Sequence, residues 1–267
     1  MQWLQSVIGA LYPKGRLVSK KRSAGACLPT VVVRATHPAA SGRAGQLARR
    51  LGVPMGLSPL QGDAQFVIEV DQQGLAFCDR SNSRLKALRP RDLPMHRTIS
   101  RGGLLARALG KQGHYVVDTT AGFGNDTLHI AALGFKVTAI ERSPVVCALL
   151  KDRLSAIDSG DISGLVDVQG GDARQVLPQL TIPDVIYMDP MFPLRSNSSA
   201  KPNKAQQLLR ALLGDEDDAG EVFELACSLA RYRVVVKRPR HAPPLAGQTG
   251  HQVLGRAVRY DVYFAGR

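Results

Sequence analysis

The spacing of apolar positions changes near residue 100. Before it, short apolar runs stand apart. Residues 30–34, Thr30-Val31-Val32-Val33-Arg34, predict a strand, and residues 45–51 a helix that ends at Gly52. Residues 65–70 and 75–78, separated by Asp71-Gln72-Gln73-Gly74, predict a hairpin with a glycine-containing turn. Residues 29–95 therefore read as a small α+β subdomain. Residues 1–28 show no clear periodicity, carry the Lys20-Lys21-Arg22 cluster, and read as a flexible basic extension.

From residue 100 onward, strand-like and helix-like segments alternate. Strands are expected at 115–118, 136–140, 165–168, 184–188, 233–236 and 257–264. Helices are expected at 103–109, 126–133, 144–157, 173–177, 203–213 and 219–230. Alternation of this kind implies a mainly parallel sheet covered on both faces. The fold class is α/β, a Rossmann-like doubly wound sheet spanning residues 96–267.

Composition narrows the partners. Of 267 residues, 44% are hydrophobic, enough for a full core, and 5% are aromatic, too few for a large platform that stacks single-stranded bases. The net charge of +13 favours a polyanion such as nucleic acid over a merely basic enzyme. That charge is uneven. Residues 1–62 hold nine Lys and Arg with no Asp or Glu, so the other 205 residues carry only +4. Cys27, Cys78, Cys147 and Cys227 lie far apart, without a zinc pattern, as suits a reducing cytoplasm. His96, His114, His129 and His251 lack ligand spacing, and no metal is expected. No apolar run approaches the ~20 residues of a membrane span. Basic residues follow the mildly apolar start, the wrong order for a secretory signal; a transit peptide stays open.

The chemistry begins at Val116-Val117-Asp118-Thr119-Thr120-Ala121-Gly122-Phe123-Gly124-Asn125-Asp126. A strand ends in an acid, and a loop with Gly122 and Gly124 opens a helix, where a ligand can approach the backbone. This form is more typical of S-adenosylmethionine binding than of dinucleotide binding. Glu141 ends the next strand, placed to accept from two ribose hydroxyls. Asp172, in Gly170-Gly171-Asp172-Ala173, can accept from the adenine amine or cap a short helix. The string Val185-Ile186-Tyr187-Met188-Asp189-Pro190-Met191-Phe192-Pro193 sets the reaction class. A planar amine is a poor nucleophile, because its lone pair is delocalised into the ring. A carboxylate at Asp189 can orient that amine and take its proton, while Phe192 stacks on the base.

The succession D-T-T-A-G-F-G-N-D, E-R-S-P-V-V, Y-M-D-P-M-F-P and V-V-V-K-R-P-R-H-A-P-P-L-A resembles the bacterial ribosomal RNA small subunit methyltransferase J family over about residues 30–265. The resemblance implies a class I methyltransferase that uses S-adenosylmethionine to methylate N2 of a guanosine near the 3′ end of 16S rRNA. It implies cofactor contacts at Asn125 and Asp126, Glu141 and Arg142, Asp172 and Ala173, and Asp189, with Asp118, Gly122 and Gly124 lining the same pocket. Asn125 stands where members often have Arg, and residues 1–28 have no counterpart in the family. Pro190, Met191 and Phe192 are expected against the base, and Lys237 and Arg238, read as a basic turn after a strand, against RNA phosphates. Two other readings share much of this pattern. One is methylation of adenine N6 or a protein glutamine; the other is an inactive RNA-binding module on the same fold. A nicotinamide oxidoreductase would prefer GxGxxG and gives no reason for D-P-M-F-P.

Overall fold

The computed structural model describes residues 30–56, 64–82, 86–95, 100–157, 162–191, 203–214 and 218–265. Its larger sheet has seven strands: β4 (Tyr115–Asp118), β5 (Lys136–Glu141), β6 (Val166–Gly170), β7 (Val185–Met188), β8 (Arg233–Pro239), β9 (His251–Leu254) and β10 (Val258–Phe264). Their order is β6-β5-β4-β7-β8-β10-β9. The first five run parallel, and β10 pairs antiparallel with both β8 and β9. Every residue of β7 is buried, as are Val116, Val117 and Val234 to Val236. Such continuous apolar runs are what a parallel strand needs when helices cover both faces.

Those helices are α2 (Leu104–Leu109), α3 (Asn125–Ala132), α4 (Pro144–Ser155), α5 (Ala173–Val176), α6 (Lys204–Leu213) and α7 (Ala219–Leu229). Local sequence starts several of them. Ser143 accepts from Val146 N at the head of α4, where Pro144 stands at the first position, and Asn203 and Gln206 form a capping box at the head of α6. Among the described residues no helix is long and apolar enough to cross a membrane.

The smaller sheet holds β1 (Val31–Ala35), β2 (Phe66–Asp71) and β3 (Gly74–Asp79) in that order, with α1 (Ser41–Leu51) between β1 and β2. The hairpin β2–β3 forms as the turn signal predicts. β1 adds to it in parallel, an arrangement the spacing alone does not reveal. One face of this sheet places Val33, Phe66, Ile68 and Phe77 against Val146 and Leu149 of α4 and Leu208 and Leu212 of α6. Asp152 of α4 adds a polar tie, accepting from Leu75 N at 3.1 Å and from the Arg91 guanidinium at 2.9 Å.

Two departures from the expected elements matter. β9 buries only Val253, so its pattern is too weak to register; it exists because the edge of β10 offers hydrogen bonds. β8 continues to Pro239 rather than stopping at residue 236. The expected basic turn is therefore strand, with Lys237 paired in register with Tyr260 and Arg238 with Arg259.

Candidate functional site

Sheet register collects the acids. Asp118 pairs with Ala139 and Tyr187, and Glu141 with Gly170, so the acids that end β4 and β5 share one edge with the start of the segment after β7. β4 is also where strand order reverses, with β5 on one side and β7 on the other. A crevice opens at such a point. Between β4 and α3 the chain turns sharply, and Gly122 and Gly124 adopt φ of +55° and +79°. A β-carbon on Gly124 would stand 2.5 Å from Leu150 Cδ1, so this glycine also lets α4 approach the loop.

The acids brace that loop. Glu141 Oε2 accepts from Gly122 N at 2.9 Å, and its Oε1 from Ser143 N at 2.8 Å. Asp118 accepts from Thr120 N at 3.0 Å and from Thr127 Oγ1 at 2.6 Å. Burial pushes the Asp118 carboxyl up to about 7. Asp189 N donates to Thr120 Oγ1 at 2.6 Å, joining the loop to the end of β7.

Next to it lies a half-buried polar cluster. Lys237 Nζ stands 2.7 Å from Asp126 Oδ2 and 2.9 Å from Asp189 Oδ2. Tyr187 donates its hydroxyl to the same Asp126 oxygen at 2.6 Å. Burial and the neighbouring Asp126 push the Asp189 carboxyl up to about 6, against the opposing pull of Lys237. Burial works against the Lys237 ammonium, but Asp189 and Asp126 outweigh it and hold its pKa well above the usual lysine range.

The far wall is ionic. Asp172 caps α5 by accepting from Arg174 N at 2.8 Å. The Arg174 guanidinium lies 2.5 Å from both Asp172 and Glu221 and holds the Asp172 carboxyl below its ordinary range. Arg142 reaches Asp218 at 3.2 Å, and Ala173 is buried beside the cap. An open cavity of about 360 Å³ flanks Glu141, bounded by Arg142, Pro144, Gly170, Gly171, Arg50 and Lys151. It adjoins the second acid but not Asp118, Asp189 or Lys237.

The four carboxylates of Asp118, Asp126, Glu141 and Asp189, against the one ammonium of Lys237, make this part of the crevice acidic, which suits a cationic ligand. S-adenosylmethionine, with its sulfonium and ammonium, fits that donor set, and Gly122 leaves open backbone beside Glu141. Among the described residues no cluster of His, Cys, Asp and Glu could hold a metal ion.

Several expected residues are placed differently. Lys237 does not present a free cation to RNA; two carboxylates occupy it. Arg238 is 5% exposed and donates to the carbonyl of Pro243. The Asn125 amide oxygen accepts from Arg153 at 2.7 Å. Pro190 is buried and Met191 half-buried beside Asp189, whereas Phe192 lies outside the described residues. The motifs did not single out Thr120, Thr127, Tyr187 or Arg153. A tyrosine inside a buried strand and an arginine on the apolar face of a helix were the available signals, since each must find a polar partner.

Comparison with known proteins places the chain among methyltransferases. The SAM-dependent methyltransferase family model matches residues 54–265. Ribosomal RNA small subunit methyltransferase J of Pseudomonas aeruginosa is 35% identical, over 88% of this chain and 95% of its own length. The protein of that name from Dechloromonas aromatica is 39% identical, over 77% and 90%. A crystal structure of an S-adenosylmethionine-dependent methyltransferase from Neisseria gonorrhoeae superposes with a TM-score of 0.63 at 26% identity, covering 88% of this chain and 96% of that one.

Proposed function

Because the chain belongs to the ribosomal RNA small subunit methyltransferase J family, we propose that it methylates the exocyclic N2 amine of a guanosine near the 3′ end of 16S rRNA. It is an S-adenosylmethionine-dependent methyltransferase with a Rossmann-like fold. The cofactor supplies a methyl carbon made electrophilic by the sulfonium.

The observation that carries the amine reading is Asp189. Its carboxylate leaves a buried parallel strand at the crevice, keeps 37% of its side chain accessible, and is followed by Pro190 and Met191. In this reading Asp189 accepts an N–H of the amine and turns its lone pair toward the methyl group. The bound cofactor would supply the methyl group to that nitrogen, and Asp189 would take the amine proton. Glu141, which accepts from Gly122 N and Ser143 N, also accepts from the ribose hydroxyls in this reading. Asp172, Ala173 and Arg142 would hold the adenine end of the cofactor, and Asp118, Gly122 and Gly124 would shape the floor. Met191 meets the guanine in this reading.

Mass spectrometry of nucleosides from 16S rRNA, offered free or as small subunits, tests this. N2-methylguanosine should form only with cofactor. The Asp189→Ala variant should fold and lose roughly 10²–10⁴-fold in rate, the scale of a lost positioned proton acceptor. Methylation of adenine N6 or of a protein glutamine instead would overturn the guanine reading.

A further inference from the structure

We propose that Lys237 is a positioning residue that keeps Asp189 ready to accept the amine proton, and that Asp126 with Tyr187 goes on balancing its ammonium once that proton has arrived. This inference rests on the amine-methylation reading above.

Register makes the contact unavoidable. β7 and β8 run parallel with Met188 opposite Val236, so the next residue on each strand, Asp189 and Lys237, come side by side. Nζ is 2.9 Å from Asp189 Oδ2 and 2.7 Å from Asp126 Oδ2. Asp126 comes from the first turn of α3, where the helix terminus favours a negative charge. Its Oδ2 also accepts the Tyr187 hydroxyl at 2.6 Å. A lysine meant for RNA phosphate would not be closed between two carboxylates of its own chain.

Among the described residues, the titratable groups that face Asp189 are Asp118 from β4, Asp126 from α3, Tyr187 from β7, Lys237 from β8 and Tyr260 from β10. With Asp189 itself, three are carboxylates and one is a cation. Carboxylates packed together out of water cannot all ionise without a counter-charge, and one of them keeps a proton. A protonated Asp189 could orient an amine but could not take its proton. Burial and Asp126 do push Asp189 up, and Lys237 is what opposes them, leaving it at about 6.

The second half follows from the bridge. After methyl transfer the sulfur is neutral, the new proton sits on an Asp189 oxygen, and Asp189 no longer offers a full negative charge. Lys237 then keeps its ion pair to Asp126, which Tyr187 holds in place. No buried ammonium is stranded at the moment of proton transfer.

Single-turnover methyl transfer at saturating cofactor, followed from pH 5.5 to 9 on wild type, Lys237→Met, Lys237→Arg and Asp126→Asn, tests this. The acid limb of the wild-type profile should lie near 6. Lys237→Met should move it up by about one pH unit or more, since the counter-charge is gone and deprotonated Asp189 appears only at higher pH. Its rate should recover toward wild type on the alkaline side. Lys237→Arg should return the limb toward its original place. Asp126→Asn should move the limb down, because a competing carboxylate is removed. A folded Lys237→Met protein with an unmoved limb and a rate loss equal at every pH would overturn the inference. If that variant does not fold, an unmoved limb in Asp126→Asn would do the same. Absence of methylguanosine with the wild-type protein would instead sink the reading on which the inference rests.

Discussion

Asp118 and Asp189 both hold their protons more tightly than ordinary carboxyls, Asp118 near 7 and Asp189 near 6, chiefly through burial. The consequence for a cationic cofactor has a definite sign. Below those values the carboxyls are neutral and the crevice loses the charge that attracts a sulfonium and an ammonium. Affinity for S-adenosylmethionine should therefore rise from pH 5.5 to 8, by roughly three- to tenfold for each carboxylate that must ionise. Calorimetry in two buffers of different ionisation heat should also show a proton released on binding between pH 6 and 7. S-adenosylhomocysteine, which lacks the sulfonium charge, should show a weaker pH dependence. An affinity for S-adenosylmethionine that is flat across this range would mean that neither acid lies close to the charged part of the ligand.

α4 is the element that ties the crevice to the rest of the chain. Its N-terminal turns pack Val145, Val146 and Leu149 into the core shared with the small sheet. Further along, Arg153 is 2% exposed and donates to the carbonyl oxygens of Phe123 (2.6 Å) and Leu93 (3.2 Å) and to the Asn125 amide oxygen (2.7 Å). Burial lowers its pKa to about 10, which still leaves it charged at neutral pH. One side chain thus fixes both the glycine loop and the segment before residue 95. Arg153→Met keeps much of the volume but leaves three acceptors, the buried Phe123 carbonyl among them, without their donor, at a cost of about 2–4 kcal/mol. The thermal midpoint should fall by several degrees, and cofactor affinity should weaken as the loop loosens. Equal midpoints for the two proteins in a calorimetric scan would show that water or a neighbour replaces the guanidinium without loss.

Across the whole molecule, charge is concentrated toward one end of the chain. α1 carries Arg43, Arg49 and Arg50 with no acid in its first turn, and Arg50 shares a cavity wall with Lys151 of α4. With Lys237 and Arg238 withdrawn into the sheet, these cations are the better place to look for phosphate binding. Arg50→Glu with Lys151→Glu should weaken binding to 16S rRNA. It should also flatten the dependence on salt by roughly 0.7–0.9 in log–log slope for each phosphate no longer neutralised. RNA affinity and slope identical to wild type would place the RNA on another face. Filter binding at several salt concentrations separates these outcomes.

Much of the fold and the site is legible in the sequence. Apolar runs of β-branched residues ending in Asp118, Glu141 and Asp189, with glycines after the first, specify strands, a turn and acids at strand ends by local chemistry alone. The parallel core, the order of the motifs and the cofactor class follow from them. What needed the tertiary structure was every relation set by pairing between distant segments. Whether Lys237 faces solvent or a carboxylate depends on β8 running past residue 236 and on its register against β7. Whether Asn125 faces a ligand or Arg153 depends on how closely α4 approaches the glycine loop. The edge strand β9 exists only because β10 is there to pair with it. Periodicity reports which side of an element is apolar, because burial repeats along the chain. It does not report which polar groups meet across the core, because that is settled by the alignment of strands and helices far apart in sequence.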